Sequence, residues 1–134
     1  MISSSGQRIL NAVGAGPRVV VATPGAEPVA PGGYGAALIL DTWATIGRQD
    51  LRAGEDALAT WARAVHLVKP EADGGHVVID ADAALPLVRD LLNWNVVDAA
   101  ARERAERAAA GVPPATRMAA IDGTADAVAR FTSD

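Results

Sequence analysis

The chain contains no cysteine, which excludes disulfides, thiolate zinc sites and cysteine nucleophiles together. Aromatic residues are scarce as well, with one Phe, one Tyr and three Trp in 134 residues. Half of the sequence is apolar, but much of that is alanine, which buries little area and predicts a thin core. Positive charge is short: 12 Lys and Arg face 16 Asp and Glu, a net charge of −4. A free-standing nucleic-acid binder shows a basic excess or a basic stripe, so the chain is not expected to grip DNA by itself. No run of apolar residues is long enough to span a bilayer. The first residues, MISSSGQRIL, lack the charged and apolar regions of a secretory signal, so a cytoplasmic protein without membrane contact is expected.

What is present reads as α/β. A chain of this length makes one ordinary domain or parts of two. Gln7–Val13 has the pattern of a short helix stopped by GAGP, with the serines at 3–5 before it as a frayed end. Residues 18–23 and 36–41 are continuous apolar runs rich in β-branched residues, the pattern of parallel strands buried on both faces. The twelve residues between them, PGAEPVAPGGYG, carry no helical period and are expected to cross over as irregular chain.

Leu51–Lys69 has the clearest helical signal. Leu51, Gly54, Leu58, Trp61, Val65 and Val68 form one stripe, and Arg52, Asp56, Arg63 and His66 lie opposite. Asp50 is placed to cap it and Pro70 to end it. A third strand follows at His76–Asp80, then a helix from Pro86 to about Trp94 with Asp82 or a neighbour as cap. A further helix is expected from Asp98 to Ala110, with Gly111 as its stop and i,i+4 pairs Arg102–Glu106 and Glu103–Arg107. Its apolar residues are alanines, which suits a connector. Thr116–Ile121 reads as a fourth strand and Ala125–Phe131 as a last helix.

The chemistry-bearing residues are few. Neither TPGAEPVAPGG nor GAGPR opens a helix with a lysine, as a phosphate-binding loop requires. Glu27 and Asp41 lie near strand ends, where a carboxylate pair could hold Mg²⁺, but no third polar partner accompanies them. His66 and His76 share no ligand spacing. The three tryptophans, Trp43, Trp61 and Trp94, are expected as core plugs rather than base-stacking platforms. By this route the sequence describes an incomplete parallel α/β sheet without an active site.

Four strings alter the functional expectation: VVVATPGAEP, GGYGAALILDTW, GRQDLRAGEDALATW, and RERAER followed by GVPP. In this order and spacing they resemble the primosomal protein N′ (PriA) family of replication-restart helicases, in its divergent actinobacterial branch, from about residue 3 to 123. The resemblance implies part of a RecA-like helicase lobe of the P-loop NTPase type over 1–82, a helical connector over 83–111, and the start of an α+β C-terminal domain over 112–134. It implies a piece of a longer polypeptide that engages branched DNA and primosome or replisome proteins. The family's ATP-binding loop, Mg²⁺-holding acids and zinc cysteines have no counterpart in these strings, so ATP, Mg²⁺ and Zn²⁺ are expected to bind elsewhere in such a polypeptide and no cofactor here.

The resemblance also places two family arginines, which reach the γ-phosphate of ATP, at Leu67 and Pro70, and a coupling turn at Ala22-Thr23-Pro24. The leucine side chain cannot donate a hydrogen bond to a phosphate and a proline there ends the helix, so ATPase and helicase activity are expected to be lost. Thr23, Arg48 and Arg52 are the candidates for nucleic-acid contact. Arg52 is also placed to pair with Asp56, which would make it an ordinary solvated helix start. Two other readings stand beside this one: a small metal-dependent α/β enzyme built on Glu27 and Asp41, and a protein-interaction module with an open sheet edge.

Overall fold

The computed structural model describes residues 2–3 and 10–132 and divides the chain into two compact units, 1–96 and 97–134. The architecture is α/β with small parallel sheets. In the first unit, β1 (Ile2–Ser3) pairs in parallel with β2 (Val21–Ala22), and β3 (Ala36–Ile39) pairs in parallel with β4 (His76–Ile79), Leu38 opposite Val78. Between β3 and β4 lie α1 (Thr42–Ile46), α2 (Ala53–His66) and a 3₁₀ turn (Glu71–Asp73); α3 (Pro86–Leu92) follows β4. This β-α-β connection is the kind that parallel pairing demands, since parallel neighbours need a long crossover.

The strands are shorter and barer than their composition predicts. Residues 18–23 yield only the two-residue β2, and Val19 and Val21 are exposed. Leu38, Leu40 and Val78 are exposed as well, so one face of the β3–β4 pair carries no covering layer among the described residues. The helix expected over Gln7–Val13 falls partly outside the described residues. Where the chain is described, Asn11 and Val13 instead exchange backbone bonds with Val29 at 3.0 and 2.9 Å. Ser4 and Ser5 lie outside the described residues too, whereas Ser3 belongs to β1.

The core of this unit gathers on α2. Ala53, Ala57, Leu58 and Trp61 are buried, together with Val88 and Leu91 of α3 and Val13, Ala26 and Pro28 from the preceding loops. Alanines at 53 and 57 let the neighbouring elements come close, which the larger-residue stripe does not reveal, while Leu51 stays exposed. Asp50 does not cap α2 directly. Its carboxylate accepts from the Arg52 N–H at 2.8 Å and its carbonyl from the Ala53 N–H at 3.0 Å, so it organises the turn that leads in. Thr42, buried at the start of α1, donates its hydroxyl to the Asp80 carbonyl just past β4.

Only one of the three tryptophans is a core plug. Trp61 is 3% exposed, but Trp43 is 71% and Trp94 54% exposed. Trp94 follows the last turn of α3 with φ of +55°. Its N–H donates to the Leu91 carbonyl at 3.1 Å, and the Asn95 N–H donates to the Asp90 carbonyl at 2.8 Å. That bond pair is the Schellman closure, whose left-handed position normally belongs to glycine.

In the second unit, α4 (Val96–Ala109, its first residue in the first unit) closes with the same bond pair. The Gly111 N–H donates to Ala108 and the Val112 N–H to Arg107, and here glycine occupies the left-handed position with φ of +66°. Asp98 lies in the first turn of α4 rather than at its cap. The Glu103–Arg107 pair forms at 2.8 Å. Thr116–Ile121 is not a strand: residues 117–122 are without strand assignment and exposed, with no ladder partner among the described residues. A single apolar stretch cannot satisfy its backbone as a strand without a neighbour. The chain then ends its described part in α5 (Ala125–Thr132).

Candidate nucleic-acid interface

The loop after β2 is built, not slack. Pro24 and Gly25 occupy the centre of a turn closed by the Ala26 N–H donating to the Thr23 carbonyl at 2.9 Å, and Gly25 has φ of +84°. Proline followed by a residue at positive φ is the requirement of a type II turn. The Glu27 carboxylate accepts from the Gly25 N–H at 3.0 Å. Ala26 and Pro28 are buried, and the Tyr34 hydroxyl donates to the Pro28 carbonyl at 2.6 Å. Burial lifts the Tyr34 hydroxyl pKa above its ordinary value, with Arg18 pulling modestly the other way.

This loop lies along the outward face of α2, and two open grooves meet there at Arg63. One, of about 460 Å³, is lined by Pro24, Thr45, Arg48, Asp56, Thr60 and Arg63. The other, of about 530 Å³, is lined by Glu27, Ala62, Arg63, His66, Leu67 and Trp94. Arg48 pairs with Asp56 at 3.1 Å, with both side chains about half exposed. Arg52 pairs with Glu55 at 3.5 Å rather than with Asp56, whose carboxylate is engaged by Arg48.

The candidate contact residues are therefore not one cluster. Arg48 lines the groove that begins at Pro24, next to Thr23, while Arg52 stands at the N-terminal end of α2 with its charge engaged by Glu55. Leu67 is the residue that closes α2, and it lines the second groove; Pro70 is exposed and leads into the 3₁₀ turn. Glu27 is held by its own loop and Asp41 sits at the start of α1 with φ of +52°. Among the described residues no group of three or more His, Asp or Glu could hold a metal ion.

Arg63, His66 and Trp94 were not legible as neighbours. Arg63 and His66 share a face at i,i+3, a signal present in the sequence, but nothing local says that the residue after α3 reaches them. The available clue was NWN following a helix, a place where asparagine or glycine is the ordinary stop.

Comparison with known proteins gives one consistent result. The chain is 54% identical over 128 residues to the probable replication restart protein PriA of Mycobacterium leprae, a match covering 96% of this chain and 20% of that protein. The proteins of the same name from Mycobacterium tuberculosis and Mycobacterium bovis are each 52% identical over the same shares. The chain thus spans about a fifth of the length of the curated relatives it matches. No family model matches it. No solved structure matches it either.

Proposed function

We propose, on the premise that this chain is PriA-like along 96% of its length, that it serves a replication-restart protein acting on branched DNA, and that it contributes surfaces rather than ATP chemistry. The observation that carries the reading is the 54% identity sustained over 128 residues. A β-α-β unit with parallel β3 and β4 supports assigning residues 1–82 to a RecA-like lobe. Arg48 beside the Thr23–Pro24 turn is its first backbone-phosphate contact, with Arg52 a weaker second. The partners are the remainder of a PriA-type polypeptide, fork DNA and primosome or replisome proteins in the cytoplasm. ATP, Mg²⁺ and Zn²⁺ are held by other regions of such a polypeptide.

Leu67 supports the inactive reading physically. Its carbonyl is engaged by the Tyr34 N–H, and its side chain brings no donor to a phosphate. Losing a charge-stabilising arginine removes roughly 10³–10⁵ in rate in related chemistry. The test is a chimera in which this chain replaces the matched stretch of the Mycobacterium tuberculosis relative. Fork binding and restart should persist while ATP turnover by the isolated chain stays at background. Mg²⁺-dependent turnover by the chain alone, or a folded chimera that no longer binds forks, would overturn the proposal.

A further inference from the structure

Trp94 combines a left-handed backbone with a large, exposed aromatic side chain. The closure of α3 needs a left-handed residue there, and α4 meets the same need with Gly111. An aromatic L-residue adopts that conformation only under strain, and strain of this kind collects at functional positions. The strain also secures no burial, because the indole is 54% exposed. What it secures is position. Trp94 lines the groove together with Ala62, Leu67, Arg63, His66 and Glu27.

We propose that Trp94 is a stacking platform for an unpaired nucleobase, with Arg63 meeting the adjoining phosphate. An exposed indole beside an exposed guanidinium is the minimum unit of single-strand recognition, since every base offers a π-face and its backbone a charge. Arg63 donates to the neutral Thr60 hydroxyl at 3.2 Å, and a guanidinium with five N–H donors retains others for a phosphate. The groove's remaining charge decides between strand types. Glu27 in this groove and Asp56 in the adjacent one oppose a dense array of phosphates, which disfavours a duplex backbone.

Glu27 also adds a preference. Its carboxylate receives one N–H from Gly25, and a carboxylate keeps further acceptor capacity. A base with an exocyclic amine can donate to it, as cytosine does to acidic side chains elsewhere, whereas thymine presents no amine. The site therefore favours cytosine over thymine. This inference deepens the branched-DNA reading by naming where its single-stranded part would lodge.

The experiment titrates the chain with labelled dC and dT octamers and an eight-base-pair duplex, reading anisotropy and tryptophan quenching. Trp94→Gly is the informative variant, because glycine suits the backbone there and removes only the ring. The expected result is tighter binding of the dC octamer than of the dT octamer, and of either than of the duplex. Trp94→Gly should weaken single-strand binding by roughly fivefold to a hundredfold, the loss typical of one stacked base. Arg63→Ala should weaken it and flatten the salt dependence by about 0.7 in log–log slope. Unchanged affinity in a folded Trp94→Gly, or a preference for duplex, would overturn the site while leaving the chimera result standing. Absence of binding to every oligonucleotide would overturn it as well, and fork binding lost in the chimera too would remove the branched-DNA reading with it.

Discussion

The N–H of Tyr34 donates to the carbonyl oxygen of Leu67 at 2.9 Å, and the N–H of Lys69 returns a bond to the Tyr34 carbonyl at 2.9 Å. The far end of the loop after β2 is thereby locked to the end of α2 through backbone atoms alone. The Leu67 side chain can change without breaking that lock. Leu67→Arg is expected to fold with stability within about 1 kcal/mol of the parent, as single changes outside a tight core do. It is also expected to gain no ATP turnover, since one guanidinium does not supply a nucleotide site. Thermal melts and phosphate-release assays check the two halves separately.

Tyr34 anchors the same loop through its hydroxyl at 2.6 Å from the Pro28 carbonyl. Tyr34→Phe should cost about 0.5–1.5 kcal/mol, the net worth of one such bond. The pH dependence follows from the raised pKa, whose cause is burial. The folded state holds the phenolic proton more tightly than the unfolded chain, where tyrosine titrates near about 10. The contribution is therefore complete below that value and declines as pH rises toward the folded pKa. Tyr34→Phe should be less stable near neutrality yet show a shallower loss above about pH 10. A parallel decline in both proteins would count against the assignment.

The tryptophans separate core from surface. Trp61, 3% exposed among alanines and Leu58, leaves a void that neighbouring alanines cannot fill. Trp61→Ala should cost about 3–5 kcal/mol, enough to unfold a domain of ordinary stability in part or in full. Trp43→Ala, at a position 71% exposed, should shift stability by no more than about 0.5 kcal/mol. Urea titrations of the two variants with unchanged slope would establish the contrast.

The paired helix closures allow a reciprocal exchange. A left-handed L-residue costs roughly 1–2 kcal/mol, part of which glycine's greater unfolded-state entropy offsets. Trp94→Gly should thus leave stability unchanged or raise it by up to about 1 kcal/mol. Gly111→Ala, at φ of +66°, should lower it by about 1–2 kcal/mol. A marked loss in Trp94→Gly would mean that the indole is held by packing, and that its exposure misstates its role.

Much of the fold was legible because its signals are local. Pro86 at the first turn of α3, Gly111 past α4 and the apolar run of β3 each carry their own geometry. Thr116–Ile121 misled because a strand exists only with a partner, and alternation of side chains says nothing about whether one is at hand. The tryptophans misled for a related reason: hydrophobicity predicts burial only when other apolar residues converge on the same place. Trp61 has Ala57 and Leu58 beside it, whereas Trp43 and Trp94 sit at helix margins. The grooves around Arg63 depend on loop, α2 and the end of α3 together, and no window of sequence contains all three.

Leu38 and Val78 stand opposite each other in the β3–β4 pair and are 62% and 60% exposed. Parallel strands are ordinarily covered on both faces, and a bare pair of large apolar residues is a surface that other chains can cover. The chain alone is therefore expected to self-associate at micromolar concentrations, with a sedimentation coefficient that rises with loading. Leu38→Thr with Val78→Thr places β-branched side chains suited to strands at both positions and removes the apolar patch. The double variant should sediment as a monomer while its far-ultraviolet circular dichroism matches the parent. A parent chain that stays monomeric across the same concentrations would show that this face tolerates water unaided.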